Sequence, residues 1–145
     1  MKPSVLYKLR DYKDVIQFEK EHPAPLRWDF KYKLYMLTQN DKCQGVWFKI
    51  GTALVAECIA TWQSDNVLHV DSFTVLPAHQ GKGLGYMIIT ELLDWAKEKG
   101  FEIVTGEARK GASWHIFENL GASALFVYKN WNDTKEDYIS FKLNV

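Results

Sequence analysis

Three glycines in five residues, within Gln80-Gly81-Lys82-Gly83-Leu84-Gly85, constrain this chain more than any other feature. The run follows an apolar strand-like segment, Val67 to Leu76. It precedes a segment, Leu84 to Lys99, whose Ile88, Ile89, Leu92, Leu93, Trp95 and Ala96 form a broad helical stripe closed by Gly100. Glycine lets a backbone approach a ligand with no Cβ in the way, and a helix start offers unpaired amides and a positive dipole end. Such a turn binds an anion, most often a phosphate. The blander alternative is a tight turn in which glycine is merely tolerated. A Walker loop is excluded, because it needs a glycine five positions before its Gly-Lys pair and Ser or Thr after it, where Leu76 and Gly83 stand. A Rossmann fingerprint fits poorly, because only Leu84 separates Gly83 from Gly85.

The other segments predict an α/β fold with a mixed sheet. Residues 4–9 alternate weakly as a short strand, and Asp11 to Glu21 carry Tyr12, Val15, Ile16 and Phe18 at helical spacing up to a stop at His22-Pro23-Ala24-Pro25. Leu26 to Leu37 is read as helical. Gln44 to Ile50 and Ala53 to Trp62 form a hairpin around Gly51, and a turn at Ser64-Asp65-Asn66 leads into the Val67–Leu76 strand. After the main helix come a strand at Phe101 to Glu107, a short helix at Ser113 to Asn119, and strands at Ala122 to Tyr128 and Asp137 to Val145. At 145 residues with no linker, the chain is expected to be a single domain over 1–145. Eighteen basic and eighteen acidic side chains cancel, which removes the field that steers nucleic-acid or membrane binding. Cys43 and Cys58, in strand-like apolar context, read as free buried thiols of a cytoplasmic protein, and no stretch has the length of a membrane span.

With its flanks, Val75-Leu76-Pro77 before and Tyr86 after, the glycine run resembles the acetyl-CoA loop of the general-control-related N-acetyltransferases, the GNAT family, with its pattern Gln/Arg-x-x-Gly-x-Gly/Ala. Glu107-Ala108-Arg109 at a strand end, followed by Ile116-Phe117-Glu118-Asn119-Leu120-Gly121-Ala122, is similar to that family's later helix. The resemblance implies a six- to seven-stranded mixed sheet with helices on both faces. It further implies that the Val67–Leu76 strand splays from the Phe101–Glu107 strand to admit the pantetheine arm of acetyl-CoA. Phe73, Thr74 and Val75 would then meet the pantetheine amides, and the backbone of Gly81, Lys82, Gly83, Leu84 and Gly85 behind Gln80 would hold the pyrophosphate. Ser113 stands in for the family's cofactor-binding asparagine; its blander role is a helix N-cap.

Acetyl transfer by this route needs no metal; it needs an amine nucleophile freed of its proton. A reference pKa near 10 keeps the amine protonated at neutral pH, so a base or desolvation is required. The resemblance makes Glu107 the first candidate base and His69 the second. Asp71, two residues on from His69, shares its face by strand period, either as an orienting partner or as a solvated residue. Glu57, a charge in an apolar strand, is expected to point to water. The family's acid is a tyrosine where this chain has Phe117, with Tyr128 a possible substitute. The aromatic stretch Trp28 to Tyr35 falls where the family builds its acceptor lid; its alternative role is core or cover. The expected activity is therefore transfer of acetyl from acetyl-CoA to a primary amine of a small molecule or protein, by a monomer or homodimer. The alternative is a non-catalytic acyl-CoA-binding module of the same fold.

Overall fold

Strands form where β-branched and aromatic residues are gathered between turn residues. The computed structural model, which describes residues 2–9, 11–21, 30–131 and 135–145, joins seven such segments in one mixed sheet. In chain order the elements are β1 (Ser4–Leu6), α1 (Tyr12–Glu21), α2 (Phe30–Thr38), β2 (Cys43–Ile50), β3 (Ala53–Trp62), β4 (Val67–Val75), α3 (Leu84–Glu98), β5 (Ile103–Arg109), α4 (Trp114–Asn119), β6 (Ser123–Tyr128) and β7 (Tyr138–Asn144). A 3-10 turn at Pro77–His79 links β4 to the glycine loop. The strand order is β1-β2-β3-β4-β5-β7-β6. All neighbours are antiparallel except β4 and β5, whose parallel pairing is bridged by the α3 crossover. The expected helix from Leu26 is described from Phe30 onward, and the expected helix stop at residues 22–25 lies outside the described residues.

Both faces of the sheet are covered at β2 and β3. Val46, Phe48, Cys58 and Ala60 pack with Ile88, Ile89 and Leu92 of α3 and with Trp114 and Phe117 of α4. Trp47, Leu54 and Ile59 pack with Val15 and Phe18 of α1. Consequently β3 is buried without a break from Leu54 to Ala60. This corrects the expectation for Glu57. No residue in the middle of β3 has a wet face, and its carboxylate is 1% exposed. Glu57 Oε1 accepts from Lys33 Nζ at 2.7 Å, Oε2 accepts from Trp47 Nε1 at 2.8 Å, and the same ammonium reaches Glu19 Oε2 at 2.5 Å. Burial pushes the Glu57 carboxyl above its ordinary value, and Lys33 opposes that shift. Lys33, on α2, is itself 1% exposed and joins α1, α2 and β3. Lys33→Met is expected to lower stability by about 3–5 kcal/mol in chemical denaturation, because it removes the cation that faces two buried carboxylates. A loss below about 1 kcal/mol would show that these carboxylates do not depend on the ammonium.

Cys43 is half-buried, Cys58 fully buried, and both are free thiols. Burial raises both thiols, Cys43 to about 11. Among the described residues no helix is long and apolar enough to cross a membrane.

The feature that creates the site is a fork in the sheet. Strands β4 and β5 pair over four residues only, from Val67 opposite Ile103 to Val70 opposite Gly106. Beyond that point β4 stays with β3 and β5 stays with β7. A bulge in β4 sits at the parting: Ala60 faces Val70 and Ile59 faces Ser72, leaving Asp71 as the extra residue. Gly106 marks the same point on β5. A Cβ there would lie 2.9 Å from the Phe141 ring, so only glycine lets that ring fill the space beneath the fork.

Candidate active site

A cavity of about 670 Å3 opens in the fork, within the range that accepts a small molecule or cofactor arm. Phe73, Thr74 and Val75 of β4 form one wall, and Gln80, Gly81, Gly83, Leu84 and Gly85 close one end. Ser113, Ile116 and Phe117 line it from the α4 side. Every expected cofactor-binding residue lines the cavity except Lys82, which is exposed and is not among the lining residues. His79, Arg109 and Tyr138 also line it; none of them had been assigned to a site.

The three loop glycines are required for two different reasons. Gly81 and Gly83 both have φ +79°, the left-handed region, with open space where a Cβ would project. Gly83 is the N-cap of α3, and its carbonyl takes the amide of Met87 at 3.1 Å. The amides of Leu84, Gly85 and Tyr86 therefore belong to the first turn, where a helix has no acceptors of its own. At Gly85 the reason is packing: a Cβ would stand 3.1 Å from Ile116 and 3.2 Å from Phe73. Gln80 holds the loop to its strand, donating from Nε2 to the carbonyl of Val75 at 2.9 Å. Beside it, His79 has a buried Nδ1 with no hydrogen-bond partner among the described residues. A polar atom left unpaired at a cavity wall fits a cavity made to receive a polar ligand.

The two candidate bases meet. His69 Nε2 lies 3.3 Å from Glu107 Oε2, and His69 Nδ1 lies 2.8 Å from Thr105 Oγ1. If the Thr105 hydroxyl donates to Nδ1, Nε2–H points at the carboxylate, which satisfies all three groups with a neutral imidazole. The hydrogen bond to Glu107 raises the His69 pKa above its ordinary value against a smaller opposing effect of burial. Arg109 pairs with Glu136 at 3.5 Å, while Glu107 pairs with His69. Asp71 stays on this face despite the bulge, accepting from Thr61 Oγ1 at 2.6 Å, and burial raises its carboxyl.

Ser113 precedes α4 but makes no side-chain capping bond, which leaves its hydroxyl for the cavity it lines. Phe117 is 2% exposed, stacked 4.2 Å from Phe141 and edge-on to Phe73 at 6.0 Å. Tyr128 is absent from the cavity lining; Tyr138 is present, and burial raises its phenol, which keeps it a proton donor. In the aromatic stretch at the start of α2, Tyr32 and Tyr35 are exposed and line no part of the cavity, while Trp28 lies outside the described residues. Among the described residues, no group of three or more His, Cys, Asp or Glu side chains could hold a metal ion.

The model of the acetyltransferase (GNAT) family matches residues 8–122. The chain belongs to the GNAT family. Solved structures agree on the fold. The ribosomal-protein-S18-alanine N-acetyltransferase from Escherichia coli superposes with a TM-score of 0.85 at 20% identity, covering 99% of this chain and 94% of that one. The putative acetyltransferase yncA from Salmonella typhimurium, crystallised with its cofactor acetyl-CoA, gives 0.77 at 19% identity, covering 99% and 94%. The NatC complex bound to Gag peptide and CoA gives 0.81 at 13% identity, covering 100% and 99%. No curated protein matches the chain. The GNAT assignment accounts for the fork between β4 and β5 and for the glycine loop at its end.

Proposed function

We propose that this GNAT protein transfers acetyl from acetyl-CoA to a primary amine, the whole chain acting as one acetyltransferase unit. The observation that carries the reading is the forked cavity, lined by two left-handed glycines and by Glu107, whose carboxylate is held from outside the lining by His69. The α3 amides and dipole suit the pyrophosphate, and the unpaired backbone of β4 past the fork suits the pantetheine amides. The amine nitrogen bonds to the thioester carbonyl carbon, the C–S bond breaks, and sulfur leaves as thiolate. Glu107, oriented by His69, takes the proton from nitrogen. A second donor returns one to sulfur, and Tyr138, a largely buried residue of the cavity wall, carries a hydroxyl suited to it.

Acetyl-CoA at a hundred-fold excess over its Kd is expected to raise Tm by roughly 5–10 °C, from about 2.7 kcal/mol of linkage, while NAD has no effect. Equal stabilisation by both, or by neither, contradicts the reading.

Phe117 favours a second reading, a non-catalytic acyl-CoA-binding module, because phenylalanine has no proton to give. Phe117→Tyr separates the two. Under the catalytic reading turnover stays within a few-fold, since the thiolate is already served. A rise of about a hundred-fold or more would show that the missing acid limits a crippled site.

A further inference from the structure

The row that carries the candidate base continues to the far edge of the sheet. Ser140 faces Glu107 across β5 and β7, and Phe126 faces Ser140 across β7 and β6. Directly opposed residues share a face, so Glu107, Ser140 and Phe126 stand in line on the side that also carries His69 and Thr105. With strands about 4.7–4.9 Å apart, Phe126 stands about 10 Å from Glu107.

That side of an outermost strand is where charged residues are expected, both to meet water and to discourage pairing. Here Phe126 is 58% exposed and the neighbouring bulge residue Leu125 is 61% exposed. The exposed ring is also braced. Phe126 packs edge-on to Tyr128 at 4.7 Å, Tyr128 to Trp131 at 4.7 Å, and Trp131 lies 5.9 Å from Tyr138 at the cavity wall. A row with two carboxylates, Asp71 and Glu107, at one end and a fixed apolar platform at the other matches a ligand that is cationic at one end and apolar about 10 Å away.

We propose that the acceptor is the N-terminal α-amine of a polypeptide with a bulky apolar side chain at its second residue, seated on Phe126 and Leu125. This rests on the acetyl-transfer reading and names its acceptor. The length selects the polypeptide. An extended chain advances about 3.3–3.6 Å per residue, so the second side chain spans the distance to the platform. The ring of an arylethylamine, two carbons from its nitrogen, falls short. The exposed platform also suits an extended chain better than a small amine, which would leave most of itself in water. In the step itself an N–C bond forms to the acetyl carbon, the C–S bond breaks, and the proton lost by nitrogen is balanced by the one gained by sulfur.

The test measures thiol release with acetyl-CoA and three probes: a peptide beginning Ala-Phe, the same peptide beginning Ala-Ser, and 2-phenylethylamine. The Ala-Phe peptide is expected to exceed the Ala-Ser peptide by about ten-fold in kcat/KM, mainly through KM, and to exceed 2-phenylethylamine. Phe126→Ser is expected to erase the difference between the peptides while the Kd for acetyl-CoA stays unchanged. Equal rates for the two peptides, or a 2-phenylethylamine rate matching the Ala-Phe peptide, overturns the acceptor assignment and leaves acetyl transfer standing. Concentration-dependent self-association abolished by Phe126→Ser overturns it too, by showing that a second copy covers the platform. No thiol release from any probe, with acetyl-CoA bound, overturns acetyl transfer and the acceptor assignment together.

Discussion

Gly83→Val is expected to abolish the thermal stabilisation by acetyl-CoA while leaving the protein folded. At φ +79° a β-branched side chain is strained by about 1–2 kcal/mol, too little to unfold a typical domain. Among the described residues nothing stands within 4 Å of the missing Cβ, so the folded state has room for valine. The loss falls on the ligand: valine would fill the approach to the first-turn amides of α3 and drive the N-cap out of its left-handed conformation. Ala substituted at Gly85 makes a useful contrast, because there the Cβ meets Ile116 and Phe73, and the expected cost is to packing. Undiminished stabilisation of Gly83→Val by acetyl-CoA would move the phosphate site away from this loop.

Glu107→Gln is expected to lower kcat/KM by about 10²–10⁴-fold with little change in the Kd for acetyl-CoA, the usual loss when a general base is removed. His69→Gln is expected to be milder and to change the pH profile. Imidazolium beside Glu107 holds the carboxylate in an ion pair; as pH rises through the raised His69 pKa, that ion pair is lost and the carboxylate is released toward the amine. Activity therefore rises through a limb above histidine's ordinary value of about 6.5, and His69→Gln removes the limb. Stability runs the other way. Because the folded pKa of His69 is raised, the pair's contribution is fully present below the unfolded value and is lost as pH rises through the folded one. A large loss in His69→Gln with a mild one in Glu107→Gln would transfer the role of base to His69. No loss in either would leave proximity as the main source of rate.

The glycine loop was legible in the sequence because its signal is local. Two of its residues need a backbone conformation that few others adopt, and the third needs the absence of a Cβ. Strand and helix order followed for the same reason, from periodicity within each segment. What escaped depends on contacts between segments. Glu57 was misread because alternation along β3 says nothing about helices on both faces, which bury every residue from Leu54 to Ala60. His69 and Glu107 appeared as rivals because their pairing depends on the register of two parallel strands joined through α3. Tyr138 was read only as one residue of an alternating strand; its position at the cavity follows from β7 pairing with β5 opposite Arg109. Lys82 was legible as a member of the loop but not as a side chain outside the cavity lining, since direction follows from the loop's fold.

Thiol release from acetyl-CoA, followed with and without an amine acceptor in the unmodified protein, tests the central claim most directly. The account predicts thiol only when an amine is present, in amounts equal to the acetylated amine formed. Saturable binding of acetyl-CoA with no thiol released to any primary amine would contradict it and leave a binding module.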